Sequence, residues 1–94
     1  MAARLLYHYK RNYDDGAILE ARVWDLDKPV TGSSHRFKYR LFYGIPGRRF
    51  VGYDNESGKG DHRHRGRREE RYVFISVERL LEDFFGDVDA LRKP

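Results

Sequence analysis

Residues 35–43 read His35-Arg36-Phe37-Lys38-Tyr39-Arg40-Leu41-Phe42-Tyr43, and their alternation decides the architecture. Phe37, Tyr39, Leu41 and Tyr43 fall on one side and Arg36, Lys38 and Arg40 on the other, the period-two pattern of a strand with one dry face and one wet face. The same rule extends toward the N-terminus. Leu5 to Tyr13 alternates, with Leu5, Tyr7, Tyr9 and Tyr13 opposite His8, Lys10 and Asn12. Asp14-Asp15-Gly16 supplies a tight turn, and Ala17 to Leu26 returns as the second strand of a hairpin. In that strand Ala17, Leu19, Ala21 and Val23 form the core side, against Ile18, Glu20, Arg22 and Trp24. Pro29 to Ser34 breaks the pattern as a loop. Gly44-Ile45-Pro46-Gly47 then turns the chain into a fourth strand, Arg48 to Tyr53, where Gly52 marks a bulge or a close approach of backbone.

Asp54 to Arg71 carries no apolar side chain over eighteen residues, and a structureless loop of that length is expected there. Tyr72 to Ile75 reads as a short fifth strand. Ser76 stands where an N-cap oxygen is needed, and Val77, Leu80, Leu81, Phe84, Phe85, Val88 and Leu91 recur at helical spacing behind it. Gly86 is a point where the helix bends or stops and resumes. The expectation is an α+β fold over residues 1–94 as one domain: an antiparallel sheet of four to five strands with one C-terminal helix packed on one face. A helix about 10–12 Å across cannot cover strands spaced about 4.8 Å apart over that width. Some sheet surface is left for solvent, a homodimer interface or a partner.

The chain has 94 residues, 39% of them apolar and 36% charged, enough for one core and too ordered in composition for a disordered tail. No apolar stretch spans a bilayer, and alternating aromatics follow Met1-Ala2-Ala3-Arg4 in place of a signal core, so a cytoplasmic protein is expected. The absence of cysteine removes thiolate nucleophiles and cysteine-ligated zinc. Asn55-Glu56-Ser57 has the form of a glycosylation acceptor but reads as a turn.

The net charge of +4 is unevenly placed. Residues 35–68 hold ten basic side chains against three acidic ones, and eight of the ten are arginine, whose planar fork suits phosphate. The densest part is Gly58-Lys59-Gly60-Asp61-His62-Arg63-His64-Arg65-Gly66-Arg67-Arg68. One reading is purely electrostatic: Lys59, Arg63, Arg65, Arg67 and Arg68, aided by Arg36, Lys38 and Arg40, bind nucleic-acid phosphates. A second is acid–base catalysis on RNA. In extended chain His62 and His64 project from one side about 6.5 Å apart, and such a pair can deprotonate a ribose 2′-hydroxyl and protonate the leaving oxygen. Asp61 would orient one ring. A third reading, a metal held by Asp61, His62 and His64, is opposed by the five cations of the loop, so neither metal nor cofactor is expected. The plain alternative is a solvated surface loop. His8 and His35 read as structural, and Asp25 and Asp27 as turn-forming.

Gly52-Tyr53-Asp54-Asn55, then Gly58-Lys59-Gly60-Asp61-His62-Arg63-His64, then Val77-Glu78-Arg79-Leu80-Leu81 before Asp83-Phe84 resembles the TumE-like family, small prokaryotic proteins described as toxin components of toxin–antitoxin pairs. The resemblance is clearest from the Tyr39-Arg40-Leu41 strand to Val88. It implies a cytoplasmic protein encoded beside a DNA-binding antitoxin, its partner, with growth inhibition as the activity. Residues 58–64 are the positions it carries over. It supplies no mechanism; RNA as the target follows by analogy with other small toxins. The expectation is therefore a toxin acting on RNA by metal-independent cleavage with His62 and His64, the alternative being a non-catalytic nucleic-acid- or partner-binding module.

Overall fold

The computed structural model describes residues 2–93. Six strands form one antiparallel sheet in chain order: β1 (Ala3–Asn12), β2 (Ile18–Leu26), β3 (Phe37–Ile45), β4 (Arg48–Asp54), β5 (His62–Arg65) and β6 (Arg68–Arg71). Helix α1 (Val77–Arg92) follows. The alternation sets the sides: Leu19, Ala21 and Val23 of β2, Tyr39, Leu41 and Tyr43 of β3, and Val51 and Tyr53 of β4 are buried beneath Leu80, Phe84 and Val88 of the helix. Register keeps them together, with Ala21 opposite Leu41 and Leu41 opposite Tyr53. The Asp15 carboxylate accepts from the Ala17 N–H at 3.0 Å and closes the first turn.

The Ser76 hydroxyl accepts from the Arg79 N–H at 3.1 Å, capping α1. The helix then runs unbroken through Gly86, because its inward residues on either side, Phe84 and Val88, are locked in the core. At its far end Arg92 lies over the Tyr13 ring at 3.6 Å, donates to the Tyr43 hydroxyl at 2.7 Å and pairs with Asp15 at 3.1 Å. That contact ties the helix to the first hairpin.

The sheet has six strands where the sequence predicts four or five. Residues within 54–71 form the hairpin β5–β6 in place of a long loop, while residues 72–75 are an extended strap and not a strand. The hairpin shows no apolar alternation because it sits at the sheet edge with polar side chains on both faces, so periodicity carries no signal. Its backbone ladder and ion pairs hold it, and Gly66, at φ 61°, is the first of two loop residues, where a tight hairpin turn requires positive φ. In the strap Tyr72 and Phe74 point inward, while Val73 and Ile75 are exposed.

Candidate functional site

The helix covers one face of the sheet and leaves the other open. Pairing of β4 with β5 puts Arg63 opposite Tyr53 and Arg65 opposite Val51 on the helix side, and His62 opposite Asp54 and His64 opposite Gly52 on the open side. Two cross-strand rows run over that open face. One is His8, Arg22, Arg40, Asp54, His62 and Arg71; the other is Lys10, Glu20, Phe42, Gly52, His64 and Glu69. Trp24, opposite Lys38, extends the surface toward the far end of β2. Among the described residues Lys10, Lys38, Arg40, Arg49 and Arg71 make no ion pair.

His62 and His64 converge on one carboxylate. Glu69 Oε2 lies 3.5 Å from His62 Nδ1 and 3.7 Å from His64 Nε2. The rings are mostly covered, at 17% and 15% side-chain exposure, whereas Glu69 is 49% exposed on the edge strand. The His62 Nε2–H donates to the Lys59 carbonyl at 2.6 Å, so its other nitrogen, Nδ1, keeps the lone pair in the neutral ring. That Nδ1 is buried without a hydrogen-bond partner.

Asp61 does turn an imidazole, but that of His35. Its Oδ2 accepts from His35 Nε2 at 2.8 Å and from the Tyr39 hydroxyl at 2.6 Å, on the helix side. His35 Nδ1 accepts from the Phe37 N–H, and the ring stacks on Phe74 with centroids 3.8 Å apart. The burial of Tyr39 and then the Asp61 carboxylate push its hydroxyl pKa far up, keeping it a donor. The expectation that Asp61 orients His62 or His64 is thereby corrected: Asp61 precedes β5 and its carboxylate is taken up by His35 and Tyr39 on the helix side, whereas the two rings face the open side.

The predicted cations divide in the same way. Arg63 lies over the Tyr53 ring, donates to its hydroxyl at 3.4 Å and pairs with Glu70 at 3.2 Å. Bonding to Tyr53 first, then Glu70, raises its pKa further still. Tyr53 in turn donates to Asp87 of the helix. Arg65 pairs with Glu70 at 2.9 Å, and Arg36 with Asp25 at 2.9 Å. Arg67 and Arg68 are exposed at the hairpin turn, and Lys59 is exposed before β5. Only Lys38 and Arg40 of the eight share the open face with the histidines. Among the described residues no three His, Cys, Asp or Glu side chains are grouped as metal ligands would be.

Sequence reasoning missed Arg22, Trp24, Phe42, Arg49, Glu69 and Arg71. Trp24 and Arg22 were signalled by the wet side of β2, and Phe42 by its place opposite Tyr39 and Leu41. Glu69 and Arg71 had no signal, since their hairpin lacks a dry face. A Cβ on Gly52 would stand 2.5 Å from Arg49 Cδ, so glycine is what lets the Arg49 side chain lie across the sheet between Phe42 and His64. Asn55, only 1% exposed, accepts from the Tyr39 N–H and donates to the Phe37 carbonyl, closing the end of β3.

These features define a small basic α+β protein with a single helix among the described residues and one open, cationic, histidine-bearing sheet face. The chain belongs to the TumE family: the family model described as Toxin TumE matches residues 3–92, nearly its full length. No curated protein and no solved structure matches it. Family membership supports a toxin role, and a toxin implies a cognate antitoxin as partner. Among the described residues no helix is long and apolar enough to cross a membrane.

Proposed function

We propose that this TumE-family protein is a toxin that cleaves RNA laid across the open sheet face, with His62 and His64 moving the protons. The observation that carries the reading is the shared approach of both imidazoles to one anionic oxygen, Glu69 Oε2. Once the exposed Glu69 swings out, a phosphodiester fits there with its ribose 2′-hydroxyl toward His62 Nδ1 and its leaving oxygen toward His64 Nε2. His62 keeps its lone pair on Nδ1, takes the proton of the ribose 2′-hydroxyl and is the base. The 2′-oxygen then bonds to phosphorus, the bond from phosphorus to the 5′-oxygen breaks, and His64 as imidazolium protonates that leaving oxygen. A 2′,3′-cyclic phosphate results. Arg40, Arg49 and Arg71 offset the charge gathering on the phosphoryl oxygens. An RNA target places the action in the cytoplasm.

The test is single replacement by alanine at His62 and at His64. Each is expected to lower RNA cleavage by about 10²–10⁴-fold, with RNA affinity held within a few-fold; unchanged cleavage would overturn the reading. One observation favours a second reading, a toxin that binds without cleaving. His62 already spends one nitrogen on the Lys59 carbonyl and so serves the β5 entry structurally. Under that reading the His62 variant loses hairpin stability and both variants keep their toxicity.

A further inference from the structure

On the open face Glu20, Arg22, Trp24, Arg40 and Phe42 line a shallow cavity of about 320 Å³. Two aromatic side chains stand at its ends: Trp24 is opposite Lys38, Phe42 is opposite Glu20, and the Arg22–Arg40 pair lies between. Arg22 is held by Glu20 at 3.0 Å, while Arg40 pairs with no carboxylate among the described residues. An apolar guest would leave the Arg40 guanidinium facing it without compensation. A guest with a π-face and an attached anion satisfies both kinds of group.

The cavity is in line with the histidine pair. Phe42, Gly52 and His64 are cross-strand neighbours in one row, and Arg40, Asp54 and His62 in the next. Two strand spacings separate cavity from histidines, about 10 Å. The saddle between them is Gly52, with the Arg49 side chain lying over it. A row thus runs aromatic pocket, guanidinium, imidazoles, which matches the order base, phosphate, scissile phosphate along a strand.

We infer that single-stranded RNA crosses the sheet perpendicular to the strands and seats one unstacked nucleobase between Trp24 and Phe42. The inference rests on the RNA reading and adds to it a base-binding subsite. A duplex cannot use the pocket, because its bases are stacked on one another and A-form helices present phosphates and 2′-hydroxyls instead of π-faces. Trp24 and Phe42 are half-buried, and aromatic side chains beside cations on a sheet hold unpaired bases without sequence readout.

Trp24 is the single tryptophan of the chain, so its emission reports this site alone. The probe is a short, fluorescein-labelled 2′-O-methyl oligonucleotide, which cannot be cleaved by 2′-oxygen attack. Titrated into the intact protein, it is expected to quench Trp24 in step with the rise in its anisotropy, and the same oligonucleotide annealed to its complement is expected not to. Trp24→Leu should weaken single-strand binding about ten-fold or more. Anisotropy that rises with Trp24 emission unchanged, or equal quenching by the duplex, would overturn the subsite while leaving the catalytic reading standing. Emission that shifts with protein concentration alone would assign the face to a second copy of this chain and also overturn it. Absence of any binding would remove the subsite and the RNA reading together. Protein carrying His62→Ala and His64→Ala that no longer cleaves RNA but still quenches would sustain the subsite independently of the chemistry.

Discussion

Asp61 accepts a hydrogen bond from His35 at 2.8 Å on the helix face of the sheet, turned away from His62 and His64. The carboxylate therefore holds the β5 entry to β3 and to the Phe74 strap, and its work is structural. Asp61→Asn leaves the Tyr39 hydroxyl and the His35 ring poorly matched, and should cost about 1–3 kcal/mol of stability by urea denaturation. Cleavage by the folded variant should stay within a few-fold of the parent. A loss of a hundred-fold or more at unchanged stability would return Asp61 to the reaction.

The cations of the two faces should separate in salt titrations. Arg40→Ala and Arg49→Ala are each expected to weaken RNA binding and to reduce the salt slope by about 0.7, the contribution of one phosphate contact on a single strand. Arg65→Ala is expected to do neither, since Arg65 pairs with Glu70 on the helix side. Filter binding over a range of salt decides it; a slope change in the Arg65 variant and none in the others would invert the assignment of faces.

Glu69 stands where the substrate anion is proposed to bind. Glu69→Ala should raise RNA affinity a few-fold, by removing a like charge from the site, and leave cleavage at saturating RNA at least as fast as in the parent. Single-turnover kinetics with labelled RNA measures both. A drop of about 10²–10⁴-fold in the saturated rate would make Glu69 itself the proton acceptor.

Much of this is legible in the sequence. Strand β3 and helix α1 announce themselves because each has one continuous dry side, which forces a periodic pattern on the sequence. The shared side of His62 and His64 follows from their spacing alone. The hairpin that carries them has no strand signature in the sequence, because neither face of β5–β6 is dry. The partition of the arginines was hidden for the same reason: without knowing that residues 62–65 pair with β4, nothing says that Arg63 and Arg65 face the helix. His35 looked structural from its alternation, and it is, but its partner Asp61 is 26 residues away. No local pattern signals a contact of that range.

The β5–β6 hairpin should loosen in acid. Hydrogen bonds from Arg65, then Arg63, hold the Glu70 carboxyl below the usual carboxylate range. A group with a depressed folded-state pKa adds stability that is complete above its unfolded value, near 4.3 for glutamate, and is lost as pH falls through the folded value. Amide exchange over residues 62–71 should therefore accelerate below about pH 4 relative to the core strands, and Glu70→Gln should flatten that dependence. Protection that is independent of pH down to the global transition would mean the ion pairs do not hold the hairpin.

Two imidazoles are proposed to perform phosphodiester transfer on RNA. The direct measurement is the chemical end left on RNA incubated with purified protein in excess chelator. Fragments ending in 2′,3′-cyclic phosphate are expected, and are expected to be absent when His62 and His64 are both alanine. Intact RNA under those conditions, alongside undiminished toxicity of the doubly substituted protein in cells, would contradict it.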